Sequence, residues 1–146
     1  METKSIRQTV KFDAPALNVY ELIMDQKKHA AFTGAKVMMS KKVKGKFDVF
    51  EGYARGYNIE LIEGEKIIQA WHFQEDGWPD KHYSICTFHF KSEGPKTQLT
   101  FTQQGVPEHK VEDLKSGWKK FYWNPMKEYL KTGVRKVAPQ MQVMHT

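Results

Sequence analysis

The most informative segment for the fold is KVEDLKSGWKKFYWNPMKEYLKT at residues 110–132. Apolar side chains recur in it at spacings of three and four residues, and lysines fill much of the remaining surface. This spacing predicts an amphipathic helix whose apolar stripe must pack on another element. Pro125 stands inside the predicted helix, where its ring and missing N–H predict a kink near Phe121 and Tyr122.

The rest of the chain supplies the element on which this helix packs. Residues 5–12 alternate between apolar and polar side chains, which predicts a half-buried strand. Ala14 and Pro15 then favour a helix start, and a second short helix is expected over 27–32. Six further strands with short connections are predicted over 36–41, 46–54, 56–62, 66–73, 82–91 and 97–104. We therefore expect an α+β fold in which a curved antiparallel sheet of six to seven strands wraps the C-terminal helix.

The composition fits one domain. The 146 residues include nine Phe, six Tyr and four Trp, enough aromatic surface for a core without disulfides. The single cysteine, Cys86, excludes an internal disulfide, and the first residues, METKSIRQTVKF, do not resemble a signal peptide. We expect a complete cytoplasmic chain with a domain over 1–133, a tail over 134–146 and no membrane partner.

The net charge of +6 is unevenly distributed along the chain. Residues 110–146 carry a net +5, residues 36–46 carry five lysines and no acid, and residues 51–80 carry a net −5. A charge distribution of this kind either steers an acidic partner or is only a solvated surface. Lys119, Lys120 and Lys127 are the candidate partner surface on the helix.

The order of elements and several short segments resemble one known family. Strand, two helices, six strands and a long helix is the order of the START-like (SRPBCC, birch-pollen-allergen-like) helix-grip superfamily. Within it, the sequence is similar to the C-terminal domain of activators of the ninety-kilodalton heat-shock chaperone's ATPase. The matching segments are TVKFDAPALNVYELI at 9–23, Ala31-Phe32-Thr33-Gly34-Ala35, Gly45-Lys46-Phe47, the pair Gly52 and Gly56, Trp78-Pro79, Gly105-Val106-Pro107, and Gly117-Trp118 followed by Phe121-Tyr122.

The resemblance implies a non-enzymatic binding domain, with a chaperone or stress-related protein as its partner. The two-domain eukaryotic activators also carry an N-terminal domain that supplies their main grip on the chaperone. The sequence contains no counterpart of that domain, so ATPase stimulation does not carry over directly.

The residues themselves show no catalytic or metal-binding motif. The six histidines are scattered without zinc spacing, and Ser84 and Cys86 lack the glycines of a nucleophile elbow. Three acids, Glu75, Asp76 and Asp80, cluster in a Gly-Pro loop where solvated acids are common. We expect no cofactor and no metal, while a cyclase or hydrolase on the same fold stays as an alternative.

The helix lysines lie opposite aromatic side chains that the core needs, and buried rings cannot stack on bases, so we expect no nucleic-acid partner.

The space between helix and sheet is the candidate site for a small apolar ligand. START-like domains often hold ligands there, and such pockets are apolar with a few polar anchors. The opposite interpretation is that the large rings fill this space completely. Trp78 and Trp123 are predicted to be exposed and to offer a further apolar contact. The candidate cavity residues are Trp71, Phe73, Tyr83, His89, Phe101, Trp118 and Tyr122, with Tyr83, His89 and Tyr122 as polar anchors.

Overall fold

A computed structural model of the chain describes residues 1–132. The tail predicted over 134–146 lies outside the described residues. Strand β1 (Thr3–Phe12) is followed by helices α1 (Ala16–Met24) and α2 (Gln26–Thr33). Asp25 caps α2 by accepting a hydrogen bond from the Lys28 N–H at 3.0 Å, and Gly34 ends α2 in the left-handed conformation.

Six further strands complete the sheet and confirm the predicted fold class. They are β2 (Met38–Met39), β3 (Lys46–Val49), β4 (Ala54–Ile62), β5 (Lys66–Phe73), β6 (Ser84–Glu93) and β7 (Lys96–Pro107). All neighbours are antiparallel, in the order β1-β7-β6-β5-β4-β3-β2. Among the strands of residues 1–132, only β1 leaves the sequential order, because it pairs with β7 at one edge.

The strand predicted over 46–54 is wrong at its end. It stops at Val49, and Phe50, Glu51 and Gly52 all have positive φ angles of 53°, 56° and 90°. Two of these are not glycines, and positive φ is uncommon for such residues, so Gly52 alone did not show that the strand ends before Phe50. The strand predicted over 36–41 likewise shrinks to Met38–Met39.

Gly56 lies where neighbouring groups leave no room for a side chain. A Cβ at this position would overlap the carbonyl oxygen of Ala70 and crowd the Phe47 ring. The absent side chain lets Phe47 lie over the strand and pack on Trp71, with 5.0 Å between their ring centroids.

The C-terminal helix covers the inner face of the sheet as three consecutive segments. A short 3₁₀ turn (Glu108–Lys110) leads into α3 (Val111–Trp118), a π turn (Lys119–Trp123) and α4 (Asn124–Thr132). The π turn lies where Pro125 predicted an irregularity, and the Asn124 N–H donates to the Lys119 carbonyl, five residues back. Because Pro125 has no N–H, the carbonyl four residues before it loses its usual helical donor.

Candidate functional site

Trp118 anchors the helix on the sheet. Its side chain is 3% exposed, and its ring centroid lies 4.5 Å from that of Phe101 and 5.1 Å from that of Trp71. The indole Nε1–H donates to Gln103 Oε1 at 2.8 Å. The helix therefore packs on the centre of the sheet, as its periodicity predicts.

A chain of buried hydrogen bonds fixes the second tryptophan of this core. The Trp71 Nε1–H donates to Gln69 Oε1 at 2.9 Å, and Gln69 Nε2 donates to Asn58 Oδ1 at 2.9 Å. Asn58 in turn donates to the carbonyls of Ser40 and Lys42. Because buried polar groups are costly when unpaired, this network holds the Trp71 ring in one orientation.

A second buried pair connects the helix to α2. Tyr122 donates its hydroxyl proton to His29 Nε2 at 2.9 Å, while His29 Nδ1–H donates to the Ile23 carbonyl at 2.9 Å. The carbonyl can only accept, so it fixes this tautomer of the imidazole. Burial lowers the pKa of His29 to about 4 and raises that of Tyr122 well above its ordinary value. Both side chains are therefore neutral at pH 7.

The rings do not fill the whole space between helix and sheet. A cleft of about 440 Å³ remains at one end, bounded by the turn after β3, the end of β5 and the helix. Its position and volume suit a small-molecule site or a pocket for a partner's side chains. Its aromatic walls are formed by Phe50, Tyr53, Trp71, Phe73, Trp118, Phe121 and Tyr122.

A polar group closes one end of the cleft. Tyr53 donates its hydroxyl proton to Glu75 Oε2 at 2.9 Å, and Lys110 Nζ lies 3.8 Å from Glu75 Oε1. Burial and the Glu75 charge both raise the pKa of Tyr53. Among the three acids of the Gly-Pro loop, Glu75 reaches the cleft, whereas Asp76 and Asp80 are exposed.

The structure places four of the seven predicted cavity residues in the cleft wall: Trp71, Phe73, Trp118 and Tyr122. Phe101 is fully buried beneath Trp118 and lines core rather than cleft. Tyr83 and His89 are wrong, because they lie on the outer face of the sheet and are exposed. Side chains alternate along a strand, and Cys86, Phe88 and Phe90 of β6 point inward, so the odd positions point outward. That alternation was readable in the sequence.

The sequence analysis missed several residues of the cleft wall. Gly117 and Phe50 had no pattern that pointed to a site, since they reach the cleft from segments far apart in sequence.

Trp78 and Trp123 were predicted to be exposed, and this prediction is wrong. They are only 5% and 3% exposed. Trp78 packs on Phe73 and donates its Nε1–H to the His82 carbonyl, and Trp123 donates to Gln8 Oε1.

Lys119, Lys120 and Lys127 are all exposed. Lys120 also lines the cleft, with its Nζ 5.4 Å from the Phe121 ring centroid. The candidate partner surface and the cleft therefore adjoin one another. In residues 1–132, His, Cys, Asp and Glu side chains form no group of three that could hold a metal ion. No helix in the same range is long and apolar enough to cross a membrane.

Comparisons with known proteins agree with the resemblance read from the segments. The family model described as Activator of Hsp90 ATPase homolog 1-like protein matches residues 13–131. An uncharacterized protein of Schizosaccharomyces pombe is 31% identical over 127 residues, 87% of this chain and 37% of that protein. Activator of 90 kDa heat shock protein ATPase homolog 2 of Mus musculus is 27% identical over 128 residues, 88% of this chain and 38% of its own length.

A solved structure described as an HSP90 activator from Plasmodium falciparum has a TM-score of 0.80 and 25% identity. The match covers 87% of this chain and 96% of that one. By contrast, this chain spans little more than a third of the length of the curated relatives.

Proposed function

Since this chain belongs to the family of activator of Hsp90 ATPase homolog 1-like proteins, we propose that it is a binding domain for a ninety-kilodalton heat-shock chaperone. Two proteins to which it is similar, one from mouse and one from Plasmodium falciparum, are named as activators of that chaperone or its ATPase. The solved chain of the Plasmodium protein is matched over 96% of its length, which supports a shared fold for the binding domain. A cytoplasmic location belongs to the same proposal.

The structural observation that supports this proposal is the exposure of the candidate partner surface on the C-terminal helix. We call its three residues, Lys119, Lys120 and Lys127, the lysine row. All three side chains are exposed, and only Lys120 approaches a core ring, that of Phe121, so charge reversal should leave the core packing largely intact. Exposed charges of one sign accelerate the encounter with a partner of the opposite sign, and salt screens them within about 8–10 Å at physiological ionic strength.

The test is a titration of the whole chain against the purified chaperone from the same organism, at low and high salt, with ATPase turnover followed in parallel. Reversing Lys119, Lys120 and Lys127 to Glu should slow association more than it speeds dissociation. Reversing Lys4, Lys91 and Lys96 to Glu is a matched control, because it changes the net charge equally on exposed positions of the strands and their turn.

Binding without ATPase stimulation is the expected result. The absence of binding at tens of micromolar in low salt would remove the chaperone from consideration. An equal effect of both charge reversals would show that only the net charge, and no defined surface, matters.

A small apolar ligand in the cleft is the second candidate function. The cleft volume of about 440 Å³ supports it, since ligand pockets of roughly 300–1,000 Å³ are common. A ligand of this kind would co-purify with the protein and be recovered by solvent extraction and mass spectrometry. A chain that carries no extractable ligand and binds the chaperone would favour the first function.

A further inference from the structure

We propose that the cleft receives a bulky apolar side chain, aromatic or branched aliphatic, from an acidic segment of a partner polypeptide. This inference rests on the proposed function and names the place where the partner is held. The lysine row would attract the segment, and the cleft would then hold its apolar side chain.

Gly117 leaves open space in the helix wall of the cleft. A Cβ built at this position meets no atom within 4 Å, and Gly117 lies in the cleft wall between Leu114 and Phe121. Elsewhere the same helix face is tightly packed, as in the 4.5 Å approach of the Trp118 and Phe101 ring centroids. The space is therefore a local feature opposite Gly117 and not general looseness of the core.

The cleft walls are apolar and already ordered. The polar atoms of Trp71, Trp118 and Tyr122 are used in buried hydrogen bonds to Gln69, Gln103 and His29. Their polar atoms are therefore not available to a guest, which would meet only the small part of each ring, 1–4% of the residue surface, that is left exposed at the base of the cleft. Because the wall is already ordered, binding costs less conformational entropy, and one inserted side chain can add measurably to the affinity of the partner.

The charged residues at the rim of the cleft determine where an acidic residue of the bound segment would lie. Glu75 is already engaged by Tyr53 and Lys110 at one end of the cleft. Asp113, exposed on the same stretch of rim, would repel an acidic residue there. Lys120 lies at the other end, where Lys119 and Lys127 continue the positive surface. An acidic residue beside the inserted side chain would thus be placed over Lys120.

The cleft opens at the surface, which favours a tethered guest. Asp113, Ser116 and Lys120 line the cleft and are also exposed, so the cleft opens to solvent along their side of the helix. A side chain entering from a polypeptide leaves its backbone at this mouth, within reach of the lysines. This arrangement of a central apolar pocket and a charged rim is that of a protein-binding hot spot.

The experiment uses the whole chain and three short acidic peptides that differ only in the central residue: phenylalanine, leucine or alanine. Binding is followed by the total tryptophan emission, to which Trp71 and Trp118 in the cleft wall contribute together with Trp78 and Trp123. The phenylalanine and leucine peptides should bind about tenfold or more tightly than the alanine peptide, because their side chains leave water. Lys120→Glu should weaken all three peptides together.

Two substitutions at one position provide the matched control. Gly117→Leu should place a branched side chain in the part of the cleft opposite Gly117 and strongly reduce the difference between the peptides. Gly117→Ala removes the same helix-weakening glycine but adds only a methyl group, so the difference should persist. Both should melt at or above the wild-type temperature; if Gly117→Leu does not, Ser116→Phe, at an exposed cleft position, takes its place.

The same variants are then tested against the purified chaperone. Loss of affinity with Gly117→Leu but not with Gly117→Ala supports both proposals. The inference is overturned if Gly117→Leu leaves the affinity for the chaperone unchanged and the three peptides bind with equal affinity. That result would leave the proposed function standing. Discrimination between the peptides without chaperone binding refutes the proposed function alone. Displacement of the peptides by an extracted small ligand at lower concentration would assign the cleft to that ligand and overturn the inference.

Discussion

Lowering the pH from 7.5 to 5 should destabilise this protein through His29. The imidazole is fully buried, stacks on Phe32, and bonds to the Ile23 carbonyl and the Tyr122 hydroxyl. Its pKa is about 4 in the folded chain, against an ordinary value of 6.5. As the pH falls below 6.5, the unfolded chain takes up a proton that the folded chain does not. Stability contributed by neutral His29 is therefore complete above pH 6.5 and is lost progressively towards pH 4.

The magnitude follows from the difference between the two pKa values. Each pKa unit corresponds to about 1.36 kcal/mol, so the full effect approaches about 3 kcal/mol. Between pH 7.5 and 5 the loss is about 2 kcal/mol. In this range the His29 imidazole becomes protonated in the unfolded chain but stays almost entirely neutral in the folded chain. Such a loss is a substantial fraction of the usual stability of a domain this size, about 5–15 kcal/mol.

The assay is urea unfolding followed by tryptophan emission at four pH values between 7.5 and 5, for the wild type and His29→Gln. Glutamine retains a donor and an acceptor but does not titrate, so other groups cancel in the comparison. The wild type should lose about 2 kcal/mol more than the variant across this window. Parallel pH profiles for the two proteins would refute the assignment of a depressed pKa to His29.

Two further predictions test the core. Trp118→Ala should cost about 3–5 kcal/mol in the free energy of unfolding, since it removes a buried ring and leaves Gln103 Oε1 without its donor; a measured loss below about 1 kcal/mol would show that the helix does not cover the sheet. Cys86 is fully buried and burial raises the pKa of its thiol, so a thiol reagent should label it only after unfolding. Rapid labelling of the native protein would contradict this.

The sequence by itself determined the fold class, because the relevant signals are local. The spacing of Leu114, Trp118 and Phe121 requires a helix with one buried face, and the alternation in β1, β6 and β7 requires strands with one buried face. Pro125 located the irregular turn of the helix for the same reason, since its effect acts on the residues directly before it. Trp118 could thus be assigned to the centre of the core from periodicity alone.

Which parts of the core are tightly packed, and where a cleft remains between helix and sheet, could be seen only in the tertiary structure. The cleft arises where the missing side chain of Gly117 faces the turn at Phe50 and Tyr53, a segment more than sixty residues earlier in the chain. Likewise, His29 is neutral at pH 7 because folding buries it, and its bond to Tyr122 joins residues 93 positions apart. Periodicity reports which face of an element is buried. A cavity or a buried hydrogen bond instead depends on the fit between side chains from distant segments, which no local pattern contains.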